Sequence, residues 1–159
     1  MARLTERDLE LVRAAEAEIR ARYRPHWHEL AAALRTKSGR IVVGLHIDAY
    51  ASICAEAAAI ARAVAEGDEE IEVLVAVRYH PESDRAEVVA PCGTCRELIA
   101  DFGDVRVILR DGRGLAKTPV SRLLPSRYPA RRAEARRQGR SAGDDERGRG
   151  ERRGRGRPR

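Results

Sequence analysis

The sequence predicts a three-layer α/β/α domain, and two observations lead to this fold class. Amphipathic helical segments alternate with short apolar segments, in the order helix, two strands, helix, two strands, helix, strand. One apolar segment, "IEVLVAV" at residues 71–77, is almost continuously apolar, which is typical of a strand buried on both faces. With 159 residues, the chain is long enough for one domain with its own hydrophobic core.

The first helix is predicted in "LTERDLELVRAAEAEIRARY", because apolar residues recur there at helical spacing. Thr5 is the predicted N-cap, and Asp8 takes the third helical position. Two strands, "HELAAAL" and "RIVVGLHI", follow and are joined by the turn "RTKSG". A second helix is predicted in "CAEAAAIARAVAEG", which is rich in alanine and ends at Gly67.

Three more strands complete a predicted sheet of five. They are "IEVLVAV", "AEVVA" and "VRVILR", and a third helix in "CRELIADFG" lies between the last two. The segment "RDGRG" is predicted to form a turn after the last strand, and "SRLLPSRYP" closes the domain.

The positive charge of the chain is concentrated near its C-terminus. Residues 130–159 contain twelve arginines and five acidic residues, a net charge of +7, so the total of +6 leaves residues 1–129 at −1. Segment 130–159 has no apolar residue larger than alanine and cannot offset its ordering entropy by burial. We therefore predict a folded domain at 1–129 and a disordered Arg/Gly-rich tail at 130–159. The tail either binds RNA or DNA weakly, in a salt-sensitive way, or is only a solvated extension.

Three cysteines carry the predicted chemistry. Cys54 opens the second helix, and Cys92 and Cys95, in "PCGTCRE", open the third. Helix N-termini stabilise thiolates, and three thiolates in a tetrahedral arrangement favour Zn²⁺. Three cysteines cannot all pair within one chain, so free thiols or metal ligation in a reducing cytoplasm are expected. No run of eighteen apolar residues predicts a membrane span.

A zinc ion with three protein ligands keeps one position open for water, as catalytic zinc sites do. Glu56, two residues after Cys54, would accept the proton of that water and return it to a substrate. Arg96 is the nearest candidate to offset the negative charge of the thiolates. Glu56 could instead only stabilise the helix dipole, and Arg96 could be a surface residue.

Three other interpretations of the cysteines stay open. The three thiols can simply be buried structural residues. "CxxC" can be a redox pair, with the third cysteine as a bystander. The three thiols can also form a closed structural zinc site with a fourth ligand such as His46 or His80. We favour the catalytic site, because none of these alternatives needs a carboxylate beside Cys54.

The motifs "CAE" and "PCGTCRE" resemble the signature of the zinc-dependent cytidine deaminase superfamily, in which ligand-x-Glu precedes Pro-Cys-x-x-Cys. "GRIVVG" and "LLPSRY" extend the likeness from about Leu4 to Tyr128. The three-cysteine form is similar to the small, usually tetrameric cytidine deaminases and to blasticidin-S deaminase. The resemblance implies a cytidine deaminase-like domain with a five-stranded mixed sheet. It also implies that the three cysteines bind zinc and that Glu56 transfers protons.

The implied reaction is hydrolysis of a cytidine-like nucleoside to its uridine-like product with release of ammonia, in cytoplasmic pyrimidine salvage. The alternatives are deamination of a cytosine-bearing antibiotic such as blasticidin S, or of another amino-heterocycle. Ala57 stands where many cytidine deaminases carry an arginine, and blasticidin-S deaminase lacks that arginine too. A function of another class is a nucleic-acid-binding module with structural zinc in the body and affinity in the tail.

The resemblance also implies substrate contacts. His46 and Asp48 stand where cytidine deaminases typically carry Asn and Glu that contact the ribose. Tyr128 matches an aromatic residue near the pocket of a neighbouring subunit, which implies a homo-oligomer, a tetramer by resemblance. From the residues alone, His46 and Asp48 can equally be polar residues at a strand end, and Tyr128 a core or interface aromatic.

Overall fold

The computed structural model describes residues 3–112 and 114–127, and the helices and strands lie in the compact unit Met1–Pro125. In chain order they are α1 (Glu6–Arg22), β1 (Leu30–Thr36), β2 (Ile41–Leu45), α2 (Ala55–Ala65), β3 (Ile71–His80), β4 (Arg85–Val89), α3 (Gly93–Ala100), β5 (Arg106–Asp111) and β6 (Gly114–Pro119). No helix in the described ranges has the length and apolarity that crossing a bilayer requires. Tyr128 and the predicted tail at 130–159 lie outside the described residues, so the domain boundary at 129 stays a prediction.

The strands form one mixed sheet in the order β2-β1-β3-β5-β6, with β4 also paired to β3. On its side away from β1, β3 pairs in parallel with β5 through Val73–Val75, and antiparallel with β4 through Ala76–His80. The other strand pairs of the described ranges are antiparallel. The sequence predicted five strands, and the structure adds β6. Its sequence, GLAKTP, begins with glycine, ends with proline and lacks the apolar alternation that identifies a strand. A strand at the edge of a sheet, as β6 is, tolerates such residues.

Helices cover both faces of the sheet, which confirms the three-layer α/β/α architecture. Side chains alternate along a strand, so neighbouring residues of β1 and β3 point to opposite faces. Ala31 and Ala33 of β1 and Val75 of β3 face α1. Their neighbours along the same strands, Ala32 and Leu74, face α2 and α3. Buried apolar side chains pack against helices on both faces of the sheet, which explains why "IEVLVAV" is apolar at nearly every position.

The N-terminus of α1 is held by the predicted capping pair. The backbone N–H and the hydroxyl of Thr5 both donate to Asp8 Oδ2, at 2.8 Å each. Asp8 is completely buried and forms ion pairs with Arg35 of β1 at 3.0 Å and Lys117 of β6 at 2.6 Å. Burial raises the pKa of Asp8, but the hydrogen bonds from Lys117, Thr5 and Arg35 outweigh it and hold that pKa well below its usual range. This network connects α1 to the central and edge strands.

Candidate active site

The three cysteines converge where two helices begin. Cys54 is the N-cap of α2, Cys92 is the N-cap of α3, and Cys95 lies in the first turn of α3. The sulfur atoms all lie within 4.8 Å of one another. β3 and β4 form a hairpin that leads the chain through Pro91 to α3, while β2 leads to α2. Tertiary structure thus brings together thiols that are 38 residues apart in the sequence.

The spacing of the thiols fits tetrahedral zinc. Sγ of Cys54 and Sγ of Cys92 are 3.8 Å apart. Two sulfurs bound at about 2.3 Å to a tetrahedral zinc ion are separated by roughly 3.8 Å. The metal-ligating group in the described ranges consists of these three cysteines without a histidine, so neither His46 nor His80 closes the site. This arrangement favours the open site over the closed structural one.

The three thiols differ in burial and in acidity. Cys95 is buried, Cys54 is half-buried and Cys92 is exposed. Desolvation, followed by the negative charge of Glu56, raises the pKa of Cys95 well above its ordinary value, and desolvation likewise raises the pKa of Cys54. Partial desolvation of Cys92 is outweighed by hydrogen bonds, among them one from the Cys95 backbone N–H at 3.5 Å, and the pKa of Cys92 is lowered. Three thiols and a carboxylate therefore share one small region, an arrangement that a cation stabilises.

Glu56 lies in the first turn of α2, beside the thiols. Only 6% of its surface is exposed, and within the described part of the chain it has no ion-pair partner. Its charge acts on all three cysteines. Burying a carboxylate without a neighbouring cation carries a desolvation penalty, and the helix N-terminus offsets only part of it. The position is therefore suited to a carboxylate that faces a metal and its water.

Arg96 anchors the loop that carries Cys92. Its Nε donates to the carbonyl of Pro91 at 2.9 Å, and a second guanidinium nitrogen donates to the carbonyl of Leu123 at 3.4 Å. These bonds connect the start of α3 to the 3-10 helix Val120–Leu123. The sequence did not predict this anchoring function. Among the described residues the Arg96 guanidinium donates to these two carbonyls and not to a cysteine sulfur, and compensation of the thiolate charge by Arg96 stays a prediction.

His46 and Asp48 lie on the segment that connects β2 to Cys54. The ring Nδ1 of His28 lies 2.9 Å from the carbonyl of His46, and the backbone N–H of Asp48 donates to the carbonyl of Trp27 at 2.8 Å. Nδ1 of His46 is buried and has no hydrogen-bond partner among the described residues. The sequence alone indicates no function for His28. No spacing in the sequence indicates its contact with His46 either, because the pairing of β1 with β2 brings the two residues together.

Residues 5–110 match the family described as the cytidine and deoxycytidylate deaminase zinc-binding region. The chain belongs to the cytidine deaminase family. The predicted family and the zinc cofactor are therefore confirmed, and the three cysteines are residues that fit this metal. The chain is a zinc-dependent hydrolytic deaminase.

Relatives of this deaminase include enzymes named for two different substrates. Blasticidin-S deaminase of Bacillus cereus is 42% identical over 133 residues, which are 79% of this chain and 94% of that protein. The cytidine deaminase of Sporosarcina psychrophila is 36% identical over 103 residues, 61% of this chain and 72% of that protein. The crystal structure of cytidine deaminase from Bacillus anthracis has a TM-score of 0.66 at 22% identity, covering 83% of this chain and 94% of that one. This last likeness shows the shared fold.

Proposed function

We propose that this deaminase converts a free cytidine-like nucleoside into its uridine-like product and releases ammonia. The observation that carries the proposal is the carboxylate of Glu56, which is buried beside three thiols at two helix N-termini and has no ion-pair partner in the described part of the chain. Neither a redox pair nor a closed structural zinc site needs this carboxylate.

Glu56 is the proposed proton carrier. Zinc, when bound to Cys54, Cys92 and Cys95, supplies the positive charge that lowers the pKa of a water molecule to about 7. Glu56 accepts a proton from this water while the oxygen of the water forms a bond to the amine-bearing carbon of the pyrimidine. Glu56 then donates that proton to the ring nitrogen. Glu56 next takes up the proton of the hydroxyl group now attached to the carbon and transfers it to the amine. The carbon–nitrogen bond breaks as the carbon–oxygen double bond forms, and ammonia leaves.

The helix ends compensate the charge of the site. Three thiolates exceed the charge of Zn²⁺ by one, which weakens the metal as a Lewis acid. The N-termini of α2 and α3 each contribute about half a positive charge at the cysteines they carry. We propose that these helix ends, together with Arg96, maintain the acidity of the water that Glu56 deprotonates.

The substrate end of the site is proposed to involve His46 and Asp48. Nδ1 of His46, which no described residue bonds, is available to a polar group of a ligand. The carboxylate of Asp48 is exposed and accepts from the Ser52 hydroxyl at 3.0 Å. Tyr128 is proposed to reach the pocket of a neighbouring subunit. We further propose a homotetramer that acts in pyrimidine salvage in the cytoplasm, in accordance with the resemblance.

A second candidate function is deamination of a cytosine-bearing antibiotic of the blasticidin S type. It is favoured by 42% identity over 94% of the length of blasticidin-S deaminase. Ala57, in place of the arginine of many cytidine deaminases, agrees with it. The nucleic-acid-binding module is less favoured, because it needs a closed zinc site.

The deciding experiment measures ammonia release from a panel of cytidine, deoxycytidine, cytosine, adenosine and blasticidin S. We expect the highest kcat/KM with cytidine or deoxycytidine and no turnover of adenosine. A kcat/KM that is highest for blasticidin S selects the second candidate. An enzyme that contains zinc and releases no ammonia from any aminopyrimidine refutes both. His46→Asn and Asp48→Glu restore the residues typical of cytidine deaminases and should raise the preference for cytidine over blasticidin S.

A further inference from the structure

Gly44 of β2 lies directly under the first turn of α2. A Cβ atom at this position would come within 2.7 Å of the carbonyl oxygen of Ala55 and 2.8 Å of the carbonyl carbon of Ala58, and closest of all to the backbone nitrogen of Ala59. Real Cβ atoms essentially never come within 3.0 Å of such neighbours. All three atoms belong to the helix backbone, so no change of side-chain rotamer relieves the overlap.

The glycine is required for space rather than for backbone conformation. Gly39, Gly67, Gly103 and Gly114 have positive φ angles, and Gly44 does not. Its strand pairs regularly with β1, where Gly44 is opposite Ala32. A residue with a side chain could therefore adopt the backbone of Gly44, and only the contact with α2 excludes it.

The helix turn above Gly44 carries the chemistry. Cys54 precedes it as the N-cap, and Glu56 lies within it. Cys92 and Cys95 belong to α3, whose start is held by the bonds of Arg96 to Pro91 and Leu123. A shift of α2 away from β2 would therefore move Cys54 and Glu56 without moving the other two thiols.

We propose that Gly44 is a positioning residue, whose missing side chain sets the depth of α2 on the sheet and thereby the place of Cys54 and Glu56 opposite Cys92 and Cys95. This inference rests on the proposed functions of those four residues.

The displacement is large compared with the tolerance of a metal site. Moving the helix backbone from 2.7 Å to an ordinary contact of about 3.5 Å requires a shift of roughly 1 Å. β2 is paired with β1 at five positions, so we expect the helix rather than the strand to move. Metal–ligand distances vary by only about 0.2 Å, and a misplacement of about 1 Å can lower turnover by about a hundredfold.

The test uses Gly44→Ala in the full-length chain, with Gly112→Ala as the matched control. A Cβ at Gly112 meets no atom within 4 Å, and Gly112 has no positive φ. Each protein is loaded with cobalt(II), whose thiolate charge-transfer absorption reports the number and geometry of its sulfur ligands. We expect Gly44→Ala to bind cobalt at least tenfold more weakly, with a changed spectrum, and to lose about a hundredfold in kcat. Gly112→Ala should match the wild type.

A second pair of variants separates positioning from general destabilisation, and decides the matter if Gly44→Ala does not fold. Ala59 and Ala63 are both completely buried in α2, and Ala63 lies one turn farther from Cys54. Ala59→Ser should change the cobalt spectrum more than Ala63→Ser, although both are expected to lower the melting temperature.

The outcomes distinguish this inference from the proposed function. A wild-type protein without a thiolate–cobalt band refutes the cysteine site, and this inference with it. A normal wild-type band together with an unchanged affinity and spectrum in Gly44→Ala refutes the positioning role alone. Equal spectral changes in Ala59→Ser and Ala63→Ser refute it as well.

Discussion

Replacing Glu56 by glutamine removes one carboxylate and leaves the size and shape of the side chain nearly unchanged. The side chain is 94% buried in the first turn of α2, so a substituted group stays in place. The three cysteines are untouched. Glu56→Gln therefore tests the proton carrier separately from the metal site.

The expected loss of activity is large. Proton transfer by a positioned side chain contributes about 10²- to 10⁴-fold to a rate. Glu56 is proposed to act twice, first as a base and then as an acid, so the upper end applies. A loss of about 10⁴-fold in kcat corresponds to roughly 5.4 kcal/mol of transition-state stabilisation.

In contrast to its activity, the thermal stability of the Glu56→Gln variant should rise or stay unchanged. The carboxylate has no ion-pair partner among the described residues, so glutamine removes a desolvation penalty. The lost interaction with the helix dipole is worth only about 0.3–1 kcal/mol. We expect the melting temperature of the metal-free variant to equal or exceed that of the wild type.

The assay combines ammonia release with zinc analysis and thermal unfolding, and Glu66→Gln at the exposed end of α2 is the control. Among residues 3–112 and 114–127, Glu66 pairs with Arg62 and Arg40 at the surface, so its loss should cost about 1 kcal/mol or less and leave kcat unchanged. A Glu56→Gln enzyme that retains zinc and more than a tenth of the wild-type kcat would refute the proposed mechanism.

Three further predictions concern the metal, the buried ion pairs and the tail. Cys92→Ser should lose zinc and melt at a lower temperature, because metal binding is coupled to folding. Metal analysis and thermal unfolding with and without a chelator measure both effects. Asp8→Asn should lower the free energy of unfolding at pH 7 by about 3–5 kcal/mol, measured by urea denaturation, because Arg35 and Lys117 lose their buried partner. The pKa of Asp8 is lowered in the folded state, so its stabilisation is complete above the unfolded-state pKa of about 3.9. It is lost progressively as the pH falls from there through the much lower folded-state pKa. A protein ending at residue 129 should keep its kcat/KM and lose any retention on RNA or DNA at low salt.

Each of these predictions has a result that contradicts it. A Cys92→Ser protein that binds zinc as the wild type does would remove this residue from the site. If Asp8→Asn is less stable than the wild type by the same amount at pH 7 and at pH 3, the ionised carboxylate is not the stabilising group. Loss of turnover in the shortened protein would place part of the active site in residues 130–159.

Much of the fold could be predicted because its elements have strong local patterns. Apolar residues at helical spacing predicted α1, and Thr5 and Asp8 marked its start. The continuous apolar run predicted β3 as a strand covered on both faces. β6 was not predicted, because an edge strand that pairs with one neighbour needs little apolar sequence, and its lysine, Lys117, is paired with Asp8 in space.

The same distinction applies to the site. Local sequence places Cys54, Cys92 and Cys95 at helix starts and Glu56 one step inside a helix, because capping and first-turn positions depend on neighbouring residues in the chain. The separation of 3.8 Å between the sulfurs of Cys54 and Cys92 depends on how two helices pack on one sheet. Only packing in three dimensions gives Gly44 and Arg96 their contacts, since Gly44 touches a helix that begins eleven residues later and Arg96 reaches a carbonyl 27 residues away. Short-range chain geometry therefore selects which residues do the chemistry, and long-range packing decides where their atoms meet.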